Sequence, residues 1–296
     1  MIRPQWRTPW LAYESTGRIH QIVTPANGTI TYTYGSPCNA PAGAYATSLT
    51  RVDADGSTTT YSVAGSNGGV TTTTSVTDKS GNLTTYVFTP TSLTTGTRAV
   101  SQINHYQGST TLLRSDLFCY NNTAQSGCLT ATVSHPILQK SVYTTLYSST
   151  IGNLTRESAY TYDQYGNTLT DSEYDYGSLG SSSPASSPTY VTTTVYGTWL
   201  GNTCGANQSN IQNLPCTVTI TENGNTTAQT EYTYNSTGQI TATNYWNGTA
   251  WIGSSATYYQ NGSLKTSTDV SDGRGDRRQR PAKLHPPLPT LQDRAS

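Results

Sequence analysis

The residues that could act in catalysis or binding lie in short tyrosine-rich stretches. Within residues 159–177, Asp163 comes directly after Tyr162, and Tyr160 stands two residues before Tyr162. On a strand, two tyrosines two residues apart point to the same face of the sheet. A carboxyl group beside aromatic rings is a candidate general acid, so Asp163 is the first residue to weigh.

The equivalents of Asp163 elsewhere in the chain favour a structural role. Asn235, Glu14 and Asp78 each stand three residues before a glycine, as Asp163 does before Gly166. Asp and Asn favour the first position of a turn because their side chains accept hydrogen bonds from nearby backbone N–H groups, and glycine favours the last position. A position that can be Asp, Asn or Glu need not donate a proton. The pattern therefore predicts a hairpin turn.

The elements that position these residues are predicted to be β-strands joined by tight turns. The 22 tyrosines, against two Phe and one Met, are typical of half-buried sheet surfaces. The pattern of residues 98–120 predicts either two strands or a strand and a short helix. We expect an all-β chain of irregularly repeated β-hairpins, with these turn and core residues: Tyr160, Tyr162, Asp163, Gly166 and Leu169; Tyr232, Tyr234, Asn235, Gly238 and Ile240; Tyr13, Glu14 and Gly17; Asp78 and Gly81.

Other patterns with a known chemistry are not found in the sequence. The four histidines are scattered, without the spacing of a zinc site, and no G-x-S-x-G elbow or phosphate-binding glycine loop occurs. Asp53 and Asp55 resemble the start of a calcium loop, but Ala64 stands where the bidentate glutamate is needed. We expect an ordinary Asp-Gly turn there, and no catalytic, cofactor or metal site in the chain.

Composition excludes two classes of partner. Charged residues make up 11% of the chain and the formal net charge is zero, so the basic surface of a nucleic-acid-binding protein is missing. No run of about 18 apolar residues is present, which argues against a membrane-inserted helix. The N-terminal residues also lack the apolar region of a secretion signal.

The ends of the chain differ from its middle. Residues 1–10 stay unassigned, and residues 11–270 form the repetitive β region. Residues 271–296 are basic and proline-rich, without the tyrosines and alternating threonines that precede them. This composition predicts a disordered tail, and a shifted reading frame or an artefact would explain the abrupt change.

Four of the five cysteines form two close pairs in the sequence. Cys119 and Cys128 bracket one loop-like segment, and Cys204 and Cys216 bracket another, while Cys38 has no partner nearby. Each pair predicts a disulfide at the base of its loop, with buried reduced thiols as the alternative. Disulfides would indicate an oxidising compartment, and hence an extracellular or cell-surface location.

The motif Tyr-x-Tyr-Asp-x-x-Gly-x-x-Leu resembles the YD repeat of bacterial RHS proteins, a family with relatives among toxin-complex subunits and teneurins. The stretches at Asp163 and Asn235 match closely, and those at Glu14 and Asp78 match less fully. The resemblance implies a curved, spiralling antiparallel sheet, of which this chain would be a fragment. It also implies two partners, the rest of a longer shell and an enclosed toxin domain. The chain contains no Asp-Pro, so self-cleavage and toxin activity are not implied.

Three functions follow as hypotheses. The first is a non-catalytic structural segment of such a surface or secreted protein. The second is a carbohydrate-binding adhesin module, in which flat aromatic rings stack on sugars; the alternative for these rings is cross-strand packing. The third is a glycan-active enzyme, which needs paired carboxylates about 5–10 Å apart. The candidate sugar-stacking residues are Tyr245, Trp246, Trp251, Tyr258 and Tyr259.

Overall fold

A computed structural model describes residues 10–15, 17–35, 48–64, 71–93, 97–200, 203–206, 213–246 and 248–269. The chain divides into two compact units, Met1–Val191 and Thr192–Ser296. The division falls inside residues 11–270, which the sequence predicts to be one continuous β region. The tail at 271–296 and Cys38 lie outside the described residues.

The first unit is an antiparallel meander. Each strand pairs with the next one along the chain, from the first to the twelfth. Its strands are β1 (Trp10–Tyr13), β2 (Ile19–Val23), β3 (Thr29–Gly35), β4 (Ser48–Val52), β5 (Thr58–Ala64), β6 (Thr72–Thr77), β7 (Leu83–Pro90), β8 (Arg98–Gln107), β9 (Thr111–Tyr120), β10 (Gln139–Leu146), β11 (Leu154–Tyr162) and β12 (Thr168–Tyr174). Residues 98–120 therefore form two strands, which decides between the two predictions for that stretch. The all-β fold and its antiparallel hairpins are confirmed.

The second unit is also built from antiparallel β-strands. A strand β13 (Tyr190–Tyr196) spans the division between the units. The strands that follow are β14 (Thr198–Leu200), β15 (Thr203–Ala206), β16 (Pro215–Glu222), β17 (Asn225–Tyr234), β18 (Ile240–Trp246), β19 (Trp251–Tyr258) and β20 (Leu264–Asp269). Strands β14 and β15 form a small separate hairpin, and β16 to β20 pair in chain order.

The strand register shows which side chains of the meander share a face. In the first unit, Tyr120, Lys140 and Tyr160 are cross-strand neighbours and share one face. The opposite face carries hydroxyl and amide groups that bond across strands, including Thr145 to Thr155 at 2.9 Å, Thr161 to Thr170 at 2.6 Å and Gln102 to Ser115 at 3.0 Å. Tyr143 and Tyr174 also lie on this second face, so tyrosine rings are found on both sides of the sheet.

The most deeply buried apolar residues lie next to the disulfides. Cys119, Cys128, Val133 and Cys216 are buried, and most described strand residues are only half-buried. Val133 lies in the long connection between β9 and β10, which also holds a short 3-10 helix, Gln125–Gly127. Backbone bonds of 2.9 and 2.8 Å join Val133 to Pro90 and Ser92 at the end of β7. This connection is bonded to the end of β7 and supplies a small core.

Both predicted disulfides are present. Cys119 joins Cys128 with a Cα–Cα distance of 5.0 Å, and Cys204 joins Cys216 at 5.8 Å. Each bond closes a loop at a strand, as the spacing predicts, and together they indicate an oxidising, extracellular environment. In the described part of the chain, no helix has the length and apolar character needed to cross a membrane.

Candidate functional site

The feature that recurs along the chain is a five-residue turn, called here the repeat turn. The first residue donates its N–H to the carbonyl of the fifth at 2.8–3.0 Å, and the fourth donates its N–H to the carbonyl of the first at 2.9–3.1 Å. Seven turns among the described residues share this arrangement, at residues 14–18, 24–28, 53–57, 78–82, 163–167, 235–239 and 259–263. The four predicted turns are among them, and Asp53 begins an ordinary turn as expected.

The backbone conformation at the fourth position of the repeat turn explains why glycine is found there. Six of the seven turns have Gly there with φ between 79° and 84°, a left-handed conformation that side chains disfavour. The turn at residues 24–28 has Asn27 instead, with φ of 62°. Asparagine is among the few other residues that adopt this conformation readily. The Asn27-Gly28 dipeptide thus forms a hairpin turn in which the asparagine, rather than the glycine, occupies the left-handed position.

The strands on either side of the turn pair with a fixed offset of six residues. Tyr13 pairs with Ile19 and Tyr234 pairs with Ile240. Tyr162 pairs with Thr168, so Thr168 is the equivalent of Ile240. The motif residue Leu169 comes one position later, at the register shift between Thr161 and Tyr162, so it is not the structural equivalent of Ile240.

In the turns that begin at Asp163, Asp78 and Asn235, the side chain of the first residue caps the backbone of the turn. Asp163 Oδ1 accepts hydrogen bonds from the N–H groups of Tyr165 at 2.8 Å and Asn167 at 2.9 Å, and Oδ2 accepts one from the Asn167 side chain at 2.8 Å. Asp78 Oδ1 accepts the corresponding bonds from Ser80 at 2.8 Å and Asn82 at 2.9 Å. Both oxygens of Asp163 are therefore held by the turn itself.

The electrostatics of the two aspartates agree with this capping role. Slight burial of Asp163 opposes ionisation, but the bonds from the side chain and N–H of Asn167 outweigh it and lower the carboxyl pKa. For Asp78, the hydrogen bond from the Asn82 N–H is the largest cause of a lowered pKa. Hydrogen bonds to a carboxylate favour its charged form. A general acid needs the opposite shift.

Asn235 makes the same cap without a charge. Its Oδ1 accepts bonds from the N–H groups of Thr237 at 3.1 Å and Gln239 at 3.0 Å, and its Nδ2 donates to Gln239 Oε1 at 2.9 Å. Glu14 differs, because its carboxylate lies 3.6 Å from the guanidinium of Arg18 at the fifth position. The equivalence of Asp and Asn that the sequence predicts is thus confirmed, and Glu14 makes an ion pair within its turn.

The tyrosine pairs lie on one face of the sheet, as predicted. The ring centroids of Tyr160 and Tyr162 are 6.4 Å apart with an interplanar angle of 18°, and those of Tyr232 and Tyr234 are 6.5 Å apart with an angle of 24°. The Tyr234 hydroxyl donates to the carbonyl of Pro215 at 2.7 Å. Burial, with a smaller effect of Tyr232, raises the pKa of Tyr234 to about 12. The ring packs on the sheet while its hydroxyl fastens it to the preceding strand.

The fifth position links neighbouring turns, a role that sequence reasoning missed. Gln239 Nε2 donates to the carbonyl of Gly262, in the next repeat turn on the same edge, at 2.8 Å. Asn82 Oδ1 accepts from the N–H of Gly108 at 3.0 Å. The side-chain amide at the fifth position is the signal that the sequence offers for this role. The backbone group that it bonds can be identified only when the pairing of the strands is known.

The five candidate sugar-stacking residues do not form one surface. Trp246 and Trp251 are direct cross-strand partners, with ring centroids 5.7 Å apart and an interplanar angle of 52°. Tyr245 and Tyr258 lie on the opposite face, and the Tyr258 hydroxyl donates to the Ile240 carbonyl at 2.8 Å. Tyr259 begins the last repeat turn, where the ammonium of Lys265 lies 5.8 Å from its ring centroid.

A groove of about 730 Å³ lies along the edge of the second unit, between the repeat turns at 235–239 and 259–263. Neutral side chains line it, among them Asn235, Thr237, Gln239 and Tyr259. Among the described residues, no group of three or more His, Cys, Asp or Glu is placed to hold a metal ion.

Comparison with known proteins identifies no family. No family model and no curated protein sequence matches the chain. A solved structure described as a porin-like protein from Bacteroides uniformis is similar over 88% of this chain and 85% of its own, with 12% identity and a TM-score of 0.28. A structure described as TcdB2-TccC3-TEV is similar over 90% of this chain and 18% of its own, with 12% identity and a TM-score of 0.21.

Proposed function

We propose that the chain is a non-catalytic structural segment of an RHS-type cell-surface or secreted protein. Its hairpins build part of a β-shell that encloses or displays a toxin or effector domain. The observation that carries this proposal is the repeat turn, which keeps one backbone arrangement at seven places while its first residue varies among Asp, Asn, Glu, Thr and Tyr. A residue type that varies while the geometry stays constant serves the architecture.

The turn residues support a structural role over a chemical one. The Asp163 carboxylate is occupied by three bonds from its own turn, and its lowered pKa keeps it ionised. Asn235, which has no titratable group, replaces it in the second unit with nearly the same distances. The two disulfides favour a place outside the cell.

The edge of the second unit suggests how the segment meets the rest of a shell. Strand β20 pairs with β19 on one side, and residues 264–268 are exposed along its length. An exposed edge strand presents unpaired N–H and carbonyl groups to another strand. In the proposed assembly, the next hairpin of the shell pairs with β20.

The test is the association of the isolated chain, measured by sedimentation velocity over a range of concentrations. We expect concentration-dependent association through the edge. The double variant Thr266→Lys and Thr268→Lys, which places charges on β20, should shift the chain towards monomer. Thr233→Lys adds a charge to an exposed site on the interior strand β17 and serves as the control. A stable monomer with a sharp melting transition, unaffected by the lysines, contradicts the proposal.

A further inference from the structure

The aromatic pair at the end of the β18–β19 hairpin is not explained by the repeat turn. Trp246 ends β18 and Trp251 begins β19, and their ring centroids are 5.7 Å apart with the ring planes inclined at 52°. Trp251 is 45% exposed although it is one of the largest apolar side chains in the chain. We propose that these two rings form the stacking surface of a binding site for neutral carbohydrate chains.

The rings belong to a row that crosses three strands. Gln229 on β17 is the cross-strand partner of Trp246, which is in turn the partner of Trp251. Since adjacent strands lie about 4.8 Å apart, this row extends over about 10 Å. An amide beside two indole rings is the combination that recognises a pyranose, because the rings contact its C–H face and the amide bonds its hydroxyls.

A second row, two residues along the strands, supplies further polar groups on the same face. It consists of Glu231, Asn244 and Gly253. Asn244 Nδ2 donates to Glu231 Oε2 at 3.5 Å, and Asn244 Oδ1 lies 2.7 Å from where a Cβ on Gly253 would be. The absence of a side chain at Gly253 thus lets the amide lie across β19. Two residues of a strand span about 7 Å, which places these groups within reach of a sugar stacked on the rings.

The charge of the surface selects the kind of ligand. The two rows contribute one carboxylate, from Glu231, and no cationic side chain. An anionic ligand would meet repulsion, whereas hydroxyl groups can donate to the carboxylate and to Asn244 Oδ1. Small-molecule sites combine aromatic surface with a few placed polar groups in this way. The favoured ligand is a neutral, hydroxyl-rich polymer, and this site is independent of the structural role proposed above.

The experiment measures binding of the full chain to soluble neutral polysaccharides, galactomannan and xyloglucan, and to anionic polygalacturonate, by affinity gel electrophoresis. We expect retardation by a neutral polysaccharide, weakened about tenfold or more in Trp251→Ala. Tyr245→Ala is the matched control, because Tyr245 is 50% exposed on the same hairpin but on the opposite face. It should bind as the wild type does.

Two further variants separate recognition from folding. Glu231→Gln and Asn244→Ala leave the rings in place and should weaken binding while the unfolding midpoint in urea changes little. Retardation by polygalacturonate alone, no retardation by either neutral polymer, or equal weakening in Trp251→Ala and Tyr245→Ala would each overturn the proposal. Loss of binding in Trp251→Ala with an unchanged unfolding midpoint supports it over a purely structural pair.

Discussion

The hairpins at Asp163 and Asn235 carry the same structure with different chemistry. Both have stacked tyrosine pairs, and their glycines have φ of 84° and 81°. The bond from the fourth N–H to the first carbonyl is 3.1 Å in one and 3.0 Å in the other. Only the first hairpin has a charged cap. In this pair of hairpins, a neutral acceptor oxygen and a charged one therefore give the same turn geometry.

The largest expected effect on the free energy of unfolding comes from replacing the glycine at the fourth position. Replacing Gly166 or Gly238 with Ala forces a side chain into the left-handed conformation, which costs about 1–2 kcal/mol. The free energy of unfolding, measured by urea denaturation, should fall by that amount at both sites. Gly166→Asn is the matched control, since Asn27 holds this position in the turn at 24–28 with φ of 62°. If Asn is as harmful as Ala, the turn needs glycine for some other reason.

Removing the cap should have a somewhat smaller effect. Asp163→Ala and Asn235→Ala each leave two backbone N–H groups without their acceptor, as in the loss of a helix cap, which costs about 1 kcal/mol. We expect similar losses in urea denaturation for the two variants, because the lost bonds correspond. A loss confined to Asp163→Ala would mean that the charge contributes separately.

The smallest expected effect is a change in how the free energy of unfolding depends on pH, and this effect distinguishes the two hairpins. The folded pKa of Asp163 lies below its unfolded value, so its stabilisation is present above the unfolded pKa and is lost as the pH falls through the folded pKa. Asp163→Asn should therefore make the free energy of unfolding less sensitive to pH below about 4. Asn235→Asp should make it more sensitive in the same range. An unchanged acid profile in both variants would contradict the capping account.

The sequence was sufficient for the local features of the fold. The spacing of Asp or Asn to glycine predicts the turns, the tyrosines two apart predict a shared face, and the paired cysteines predict the disulfides. Each of these depends on residues close together in the chain. The turn at 53–57 was anticipated only as an ordinary Asp-Gly turn, although Asp53 and Gly56 have the spacing of Asp163 and Gly166. The turns at 24–28 and 259–263 begin with Thr and Tyr and so lack the Asp or Asn signal at the first position.

Features that depend on strand register were not predictable. The pairing of Tyr162 with Thr168 rather than Leu169 follows from the bulge beside the turn. The contact of Gln239 with Gly262 and the row from Gln229 to Trp251 each join residues of different hairpins. The separation of Tyr245 from Trp246 onto two faces could have been read from their adjacency, since neighbouring strand residues point in opposite directions.

The most direct test of the turn account is an exchange of caps, in the double variant Asp163→Asn and Asn235→Asp. Hydrogen exchange of the backbone amides of Asn167 and Gln239, measured by NMR at neutral pH, reports the two capping bonds themselves. If the oxygen acceptor is what holds the turn, both amides should keep their wild-type protection. Loss of protection at either amide, in a chain that is otherwise folded, would contradict the equivalence of the two hairpins.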